Sequence, residues 1–403
     1  MGAGVQFGSG DPSSHHAAGL LCPEVHCERF DLWSGEMKQV RIGMVGLGFI
    51  ASGHASCYRN DCRVRLAAAA ETDPEKRRSF ASRFTVDTYV SDWKDLVKDP
   101  RIDVIDITAP NFLHAPIARE ALRHGKAVIV EKPLALTLKE AEEVMEELEK
   151  RSLTTLYAEN RLFAPVFRKA KELLASGSLG QPLILRVNEL GSGPSHSGWF
   201  WDKSKTGGGA LMDLGIHGLC MAEWLLEQPI VAVQALAAVK RWEQAKEQDI
   251  EETVTTIARF RTGAIGQFIC SWGIQGGLDI RAELFGTSGT LYIDQSKTIN
   301  GIQVYQSESA GAAPGGKAPR GDTNEPRPHQ ASQTGWSYPP VDEWTVKGHA
   351  GELRHFVDCF LEGRKTESPL QRGYRVLEVV QKIYEAVRSR SEVEVPEASY
   401  GNW

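Results

Sequence analysis

The chain has 403 residues, enough for two or three domains of ordinary size with a large buried core. Hydrophobic residues make up 41% and charged residues 24% of the sequence, which is typical of a folded globular protein and excludes a fibrous or largely disordered chain. Lys and Arg number 46 against 52 Asp and Glu, a formal net charge of -6. Nucleic acid is therefore not an expected partner, because no basic surplus is available to neutralise phosphates.

Cysteine spacing and hydropathy bear on the compartment. The chain has seven cysteines, and in the pairs Cys22/Cys27 and Cys57/Cys62 four residues intervene instead of the two that are typical of zinc or redox pairs. No run approaches the ~18 to 20 consecutive apolar residues of a membrane span, and no secretory signal is evident at the N-terminus. These features favour a reduced, cytoplasmic protein without a membrane partner.

Residues 1–36 show no sustained periodicity, and we expect a flexible N-terminal extension. From residue 37 short apolar runs alternate with helical patterns, which predicts a doubly wound parallel sheet with right-handed crossovers. The predicted strands are 39–45, 64–70, 104–107 and 127–130, and the helices are 74–84, 93–98 and 116–124.

After an amphipathic stretch at 137–150 the pattern changes to longer β-type runs. The short turn at 261–264 joins two of them and indicates antiparallel pairing. We therefore expect a second, α+β domain over 159–403 with an open, mainly antiparallel sheet covered by helices on one face, after a first domain at 37–158. The predicted strands are 183–190, 231–239, 253–261, 264–272, 280–285 and 290–294; the helices are 351–362 and 374–388, and 307–340 is a long loop.

The stretch 46–51 reads Gly-Leu-Gly-Phe-Ile-Ala, a G-x-G-x-x-A pattern that follows a predicted strand and opens a helix. The first glycine permits a tight turn, the second lets a pyrophosphate approach the backbone, and the final small residue lets the helix pack on the strand. In this position the pattern predicts a dinucleotide-binding, Rossmann-type first domain.

Glu71 ends the second predicted strand, 23 residues after Gly48. A carboxylate about 20 residues beyond the glycines is typical of one that binds the adenosine ribose diol. Because a carboxylate would repel a 2′-phosphate, NAD is expected rather than NADP, although Arg77 and Arg78 soften that preference. The alternative is that Glu71, or more readily Asp73, caps the following helix.

Two further stretches carry candidate catalytic side chains. Lys132 follows a predicted strand at the edge where open α/β sheets bind ligands, and it could hold a substrate oxygen as negative charge develops, although a lysine at a strand end is more often simply solvated. The glycine-rich stretch 207–217 leads into a helix that carries Asp213 and His217 on one face. Imidazole is the natural acceptor for an alcohol proton near neutral pH, but a hydrogen-bonded, half-buried pair is the simpler alternative.

An aromatic segment at 192–202 lies just upstream of these glycines. The faces of Trp199 and Trp201 suit the C–H surfaces of a pyranose or cyclitol, and His196 and Asp202 could bind hydroxyls. A packed aromatic corner of the second domain is an equally good interpretation. We expect no metal site, because the sequence offers no histidine or cysteine cluster at metal-ligand spacing.

Taken together, these ordered motifs resemble those of the Gfo/Idh/MocA oxidoreductases, typified by glucose-fructose oxidoreductase and inositol 2-dehydrogenase. The resemblance covers about residues 37–396 and is carried by the glycine motif, Thr-Ala-Pro-Asn at 108–111 with His114, Glu-Lys-Pro at 131–133, and the glycine-rich stretch. It implies a two-domain dehydrogenase in which Lys132, Asp213 and His217 are catalytic and also contact substrate. The implied cofactor contacts are Gly46, Gly48, Phe49, Ile50, Glu71, Thr108, Asn111, His114, Glu131, Lys132 and Asn160.

The expected activity is hydride transfer between a secondary alcohol of a sugar, glycoside or cyclitol and the nicotinamide of NAD. Two alternatives remain open: a glycoside-processing or epimerising enzyme that retains and recycles NAD, and a ligand-sensing protein without catalysis. A departure from the family is Cys220, where relatives often carry an acid. A homo-oligomer, dimer or tetramer, is expected because the open sheet would leave apolar residues uncovered, namely Ile257, Ile265, Phe268 and Ile269.

Overall fold

The computed structural model describes residues 39–194, 197–275, 278–296, 302–306, 335–337 and 348–396. Three sequence predictions lie wholly or mostly outside these ranges: the extension at 1–36, most of the loop at 307–340, and His196. The predicted division at 158/159 stays a prediction, although the last strand of the first sheet ends at Ala158.

The first sheet has six parallel strands in the order β3-β2-β1-β4-β5-β6. The order reverses between β1 and β4, which creates the crevice where doubly wound sheets bind ligands. The predicted parallel sheet is therefore confirmed, with two additional short strands, β3 and β6. The elements are β1 Val40–Val45, α1 Phe49–Tyr58, β2 Val64–Ala70, α2 Pro74–Ala81, β3 Thr88–Val90, α3 Trp93–Lys98, β4 Val104–Ile107, α4 His114–Arg123, β5 Ala127–Glu131, α5 Leu138–Glu149 and β6 Thr155–Ala158.

Local sequence signals fix where these helices begin. The Asp73 carboxylate accepts a hydrogen bond from the Glu75 amide at 2.8 Å, and Pro74 occupies the first position of α2. Before α5, Thr137 and Glu140 form a reciprocal capping box. Asp73 is thus the helix cap that the sequence offered as an alternative role, and Glu71 is left for another function.

The second sheet has nine strands in the order β14-β13-β12-β11-β7-β10-β9-β8-β15. Every neighbouring pair is antiparallel except β7 and β10, so the predicted mainly antiparallel sheet is confirmed. β14 falls inside the predicted loop, which is therefore not loop throughout. The strands are β7 Pro182–Leu190, β8 Ile230–Ala238, β9 Thr253–Phe260, β10 Ile265–Ser271, β11 Asp279–Gly286, β12 Gly289–Asp294, β13 Ile302–Gln306, β14 Gly335–Ser337 and β15 Val393–Glu394.

Helices cover one face of this sheet and link it to the first. All residues of α8 are buried, as expected of a helix surrounded by other elements. At the C-terminus, α10 packs on α1, and α11 packs on both β8 and β6. The helices are α6 Pro165–Ala175, α7 Lys203–Thr206, α8 Ile216–Leu226, α9 Glu243–Glu247, α10 His349–Glu362 and α11 Leu370–Ser389, with a π-helical turn at Leu211–Gly215.

The opposite face of the second sheet carries exposed apolar side chains. Ile257 is 44% exposed and Ile265 is 41% exposed, and Ile265 pairs in register with the exposed Ile184. Phe268 is only 6% exposed because alternate residues of β10 point inward, so its expected place on the open face is wrong. Ile269 is partly exposed. An apolar stripe nevertheless remains on this face.

In the described part of the chain, no helix has the length and apolar character that crossing a membrane requires. Cys220, Cys270 and Cys359 carry free thiols, whereas Cys62 is disulfide-bonded. The expectation of a fully reduced chain is therefore not met at Cys62.

Candidate active site

The turn between β1 and α1 has the geometry that the glycine motif predicts. Gly46 has a φ of +87°, and a Cβ there would lie 2.6 Å from the Cα of Ala109, so the backbone conformation and the close approach both require glycine. The Thr108 hydroxyl donates to the Gly46 carbonyl at 2.8 Å. Around Gly48, no described atom lies within 4 Å of an added Cβ, which leaves room for a ligand to approach the backbone.

A cleft of about 450 Å³ opens beside this turn. Gly48, Phe49 and Ile50 line it, and Phe49 is 75% exposed at its edge. Gly48, the N-cap of α1, has no side chain to cap the first turn, and helix N-terminal amides are donors that suit a phosphate. His349, at the start of α10, also lines the cleft. The cleft therefore fits the pyrophosphate half of a dinucleotide.

Glu71 lies directly beside the glycine turn. Its Oε2 accepts the Leu47 amide at 3.1 Å, and its Oε1 accepts the Asp73 amide at 3.0 Å. These bonds hold the carboxylate at the carboxyl end of β2, where a ribose-binding acid is needed. The Arg77 guanidinium bonds the Glu71 main-chain carbonyl, and within the described ranges no cation contacts the Glu71 carboxylate. The position of Glu71 supports the predicted ribose contact.

Other predicted cofactor residues are held by the backbone. The side-chain amide of Asn111 donates from Nδ2 to the Thr206 carbonyl at 3.1 Å. The ring nitrogens of His114 lie 2.6 Å from the Pro133 carbonyl and 2.7 Å from the Ala109 carbonyl, and burial lowers its pKa. Asn160 is buried at the start of a 3₁₀ turn, Asn160–Phe163. These bonds hold Asn111 and His114 in place, and their contact with the cofactor stays a prediction.

The Glu131 carboxylate is bonded within the protein, and its contact with the cofactor stays a prediction. The Oε1 of Glu131 lies 3.2 Å from Nε2 of His54. The Nδ1 of the same His54 ring lies 2.9 Å from Oδ2 of Asp106, and the Tyr58 hydroxyl donates to that oxygen at 2.8 Å. Burial opposes charge on Glu131, but the hydrogen bond and charge of His54 lower its pKa to about 2. Its Oε2 accepts the Lys132 amide at 3.1 Å. The network therefore fixes the backbone that presents Lys132.

Lys132 and Asp213 form the centre of the site. The Lys132 Nζ lies 2.9 Å from Oδ1 of Asp213 and 2.7 Å from its carbonyl oxygen, and the peptide between Lys132 and Pro133 is cis. Burial alone would lower the pKa of Lys132 and raise the pKa of Asp213. The opposite charge and the hydrogen bond of the partner outweigh burial in both cases, so the pKa of Lys132 is raised and the pKa of Asp213 is lowered. The pair is therefore fully charged at neutral pH.

Two residues that were not predicted from the sequence complete the cluster. Trp272, at the end of β10, donates its Nε1 hydrogen to Oδ2 of Asp213 at 3.0 Å. Glu159, which directly follows β6, lies with its Oε1 2.7 Å from Nδ1 of His217. The π-helical turn at Leu211–Gly215 presents Asp213 just before His217, and such turns often occur at functional sites. Glu159 could have been suspected as an acid at a strand's carboxyl end, whereas Trp272 carried no signal.

The aromatic segment reaches this cluster through Trp272. The Trp201 ring centroid lies 5.5 Å from that of Trp272, and Trp199 stacks on Phe200 at 4.0 Å. Asp202 instead caps α7, where it accepts the Ser204 amide at 3.1 Å and pairs with a lysine. Asp202 therefore has a structural role as the cap of α7, and its contact with a substrate hydroxyl stays a prediction. Trp201 lies beside the site through its contact with Trp272.

Among the described residues, one group has the composition of a metal site. His54, His349 and Glu352 offer ligand atoms that lie within 4.8 Å of one another. Tetrahedral zinc, with bonds of about 2.0 Å, would place ligand atoms about 3.3 Å apart, and His54 already uses its Nδ1 on Asp106. We assign no metal to this group, and the expected absence of a metal stays a prediction.

Fold and site together define an NAD-binding oxidoreductase. A family model described as "Oxidoreductase family, NAD-binding Rossmann fold" matches residues 40–159, and one described as "GFO/IDH/MocA C-terminal domain" matches residues 167–292. The chain belongs to the Gfo/Idh/MocA family of oxidoreductases, which confirms the resemblance, and NAD is its cofactor.

Several relatives are similar over most of the chain. Levoglucosan dehydrogenase from Pseudarthrobacter phenanthrenivorans is 27% identical over 394 residues, which cover 90% of this chain and all of that protein. The oxidoreductase YrbE of Bacillus subtilis is 30% identical over 64% of this chain and 75% of its own length. A levoglucosan dehydrogenase structure in complex with NADH and levoglucosan has a TM-score of 0.77 at 26% identity, covering 89% of this chain and all of that one.

Proposed function

We propose that this protein is an NAD-dependent dehydrogenase of a secondary alcohol in a sugar, glycoside or cyclitol. The observation that carries the proposal is the cluster in which the partly buried ion pair of Lys132 and Asp213 lies near the buried His217. A proton acceptor and an alkoxide stabiliser together are what alcohol oxidation requires. Two relatives support a polyol or sugar substrate by their names: levoglucosan dehydrogenase and the myo-inositol 2-dehydrogenase of Thermotoga maritima. The latter is 28% identical over 63% of this chain and 75% of its own length.

The side chains divide the work as follows. His217 accepts the hydroxyl proton at Nε2, since its Nδ1 is taken by Glu159. The Lys132 ammonium stabilises the developing alkoxide, and Asp213 positions that ammonium through its carboxylate and its carbonyl oxygen. When bound, NAD supplies the acceptor for the hydride. Gly46, Gly48, the first turn of α1 and Glu71 would hold its pyrophosphate and adenosine ribose.

The proposal is tested by incubating the purified protein with NAD and a panel of inositols, hexoses and glycosides. Both free and protein-retained nicotinamide are then assayed for reduction, and products are analysed by mass spectrometry. We expect reduced nicotinamide with at least one panel member. Product without net reduction would indicate an epimerising or glycoside-processing enzyme that recycles NAD, and ligand binding without any product would indicate a sensor.

Cofactor preference follows from Glu71. We predict that NAD binds more tightly than NADP, because the carboxylate can accept both ribose hydroxyls but would repel a 2′-phosphate. Glu71→Ser removes that repulsion and should reduce the preference by about tenfold or more, a difference of ~1.4 kcal/mol. Fluorescence titration of both cofactors provides the measurement. Tighter binding of NADP to the unmodified protein would overturn the assignment of Glu71.

We propose a homo-oligomer that covers the exposed face of the second sheet. Ile257→Glu places a charge in the apolar stripe and should shift a dimer or tetramer toward monomer at micromolar concentration, as measured by light scattering. Leu361→Glu is the matched control, because Leu361 is equally exposed, at 44%, but lies on α10. A monomeric mass for the unmodified protein would contradict the proposal.

We also propose a cytoplasmic location, with a small molecule as the only substrate and neither nucleic acid nor membrane as a partner. The net charge of -6 supports the exclusion of nucleic acid. Cell fractionation of the expressed full-length chain tests the location, and recovery in the membrane pellet would count against it.

A further inference from the structure

Glu159 is a buried acid whose closest polar partner is the proposed base. The residue is 0% exposed, and it follows β6 immediately, at the carboxyl edge of the first sheet. Its Oε1 lies 2.7 Å from Nδ1 of His217 and accepts the Arg161 amide at 3.3 Å. Its Oε2 has no hydrogen-bond partner among the described residues. A buried carboxylate costs free energy unless it is paired, so its place beside His217 calls for an explanation.

We propose that Glu159 is the positioning residue for His217, an inference that rests on the dehydrogenase activity proposed above. The carboxylate keeps the proton of the neutral imidazole on Nδ1, so the lone pair of Nε2 is left to take the alcohol proton. In that step the substrate O–H bond breaks and an N–H bond forms at Nε2, while the Nδ1 hydrogen stays shared with Glu159. The imidazolium so formed lies against a carboxylate, which stabilises its charge.

Arg161, the cation two residues after Glu159, does not compete for this carboxylate. The guanidinium of Arg161 is committed to Glu189, with Nη2 3.0 Å from Oε2 and Nε 3.2 Å from Oε1. Burial raises the pKa of Cys220 well above its usual value, so this thiol on α8 stays neutral. Among the described residues, the charged or titratable groups that face His217 or Glu159 from the surrounding elements are Lys132, Tyr157, Arg161, Asp213, Cys220, His349, Glu352 and Arg372.

A purely structural carboxylate makes different predictions from a positioning one. Glu159→Gln keeps the shape of the side chain but removes its charge, and its amide can also donate to Nδ1 and so favour the wrong tautomer. We therefore expect kcat to fall by ~10²-fold, a typical general-base contribution, with KM and NAD affinity within a few fold. The acidic limb of the pH profile of kcat/KM should move to lower pH, because the imidazolium loses its counter-charge.

The decisive comparison is a double-mutant cycle of Glu159→Gln and His217→Ala, assayed on the alcohol that the panel identifies. If Glu159 acts through His217, the double variant is no slower than His217→Ala alone. Glu378→Gln is the matched control, because Glu378 is also a buried acid but pairs with Arg375 on α11. Its variant should leave the pH profile unchanged. Multiplied losses in the double variant, or an unmoved acidic limb in Glu159→Gln, would overturn the proposal.

Two further results keep the test decisive. If Glu159→Gln does not fold, the ¹⁵N resonances of His217 in the unmodified protein report the tautomer: protonation at Nδ1 supports the proposal, and protonation at Nε2 alone in the neutral ring overturns it. If His217→Ala itself turns over like the unmodified protein, the proposed function has failed. A slow His217→Ala together with an unaffected Glu159→Gln refutes only the role of Glu159.

Discussion

Replacement of Lys132 by alanine should reduce turnover at least ~10²-fold, the usual magnitude for removing a charge beside a developing oxyanion. Among the described residues, the Lys132 Nζ is the cation that contacts Asp213, at 2.9 Å. In that part of the chain the variant leaves the partly buried carboxylate with the hydrogen bond from Trp272. NAD affinity should stay within a few fold, because the glycine turn and Glu71 are untouched. Steady-state kinetics and cofactor titration on the same preparation provide the measurement.

Trp272→Phe serves as the graded comparison for Lys132→Ala. It keeps an aromatic ring against Trp201 but removes the N–H that bonds Oδ2 of Asp213. We expect a loss of only a few fold, because Lys132 still bonds both Asp213 oxygens that it contacts. A folded Lys132→Ala variant with unmodified turnover would show that the catalytic assignment is wrong even though the family is established.

Replacement of His217 by alanine should have the other large effect, also at least ~10²-fold on kcat, because it removes the proton acceptor. In the unmodified protein we expect a pH profile whose acidic limb reports protonation of the base. This limb should disappear in the alanine variant. Stopped-flow measurement of the first turnover over a range of pH separates this chemical step from product release.

Asp213→Asn distinguishes orientation from proton transfer. If Asp213 only positions Lys132, the asparagine oxygen can still accept from Nζ and the variant keeps more activity than His217→Ala. Activity below that of His217→Ala would instead mean that Asp213 takes part in proton transfer.

For the His217→Ala prediction, an acidic limb retained in the pH profile of the variant would assign the base to another residue.

Much of the fold follows from the sequence because hydrophobic periodicity is a local property. Both ends of every predicted strand lie within one residue of the ends of an observed strand. In β2 the predicted apolar run 64–70 and the observed strand have the same bounds. β3 and β6 are short and read Thr-Tyr-Val and Thr-Leu-Tyr-Ala, so neither stands out as an apolar run in the way that the four-residue β4 does. Their place in the sheet is set by pairing with β2 and β5.

The candidate site was predictable only in part, since motifs give positions along the chain but not side-chain partners. Lys132, Asp213 and Glu71 lie where their motifs indicated. Glu131 turns inward because His54 and Asp106, distant in sequence, offer it a buried partner. Asp202 was expected to bind hydroxyls, but the helix that begins one residue later takes its carboxylate as a cap.

The most direct test of the central claim follows the hydrogen itself. A panel member found to be oxidised is prepared with deuterium on the carbinol carbon, and the nicotinamide recovered after one turnover is analysed by mass spectrometry. We predict that the reduced cofactor carries the deuterium with the unmodified protein and that its formation is at least ~10²-fold slower with Lys132→Ala and His217→Ala. Reduced cofactor without the label, or label transfer at equal rates in all three proteins, would contradict this account.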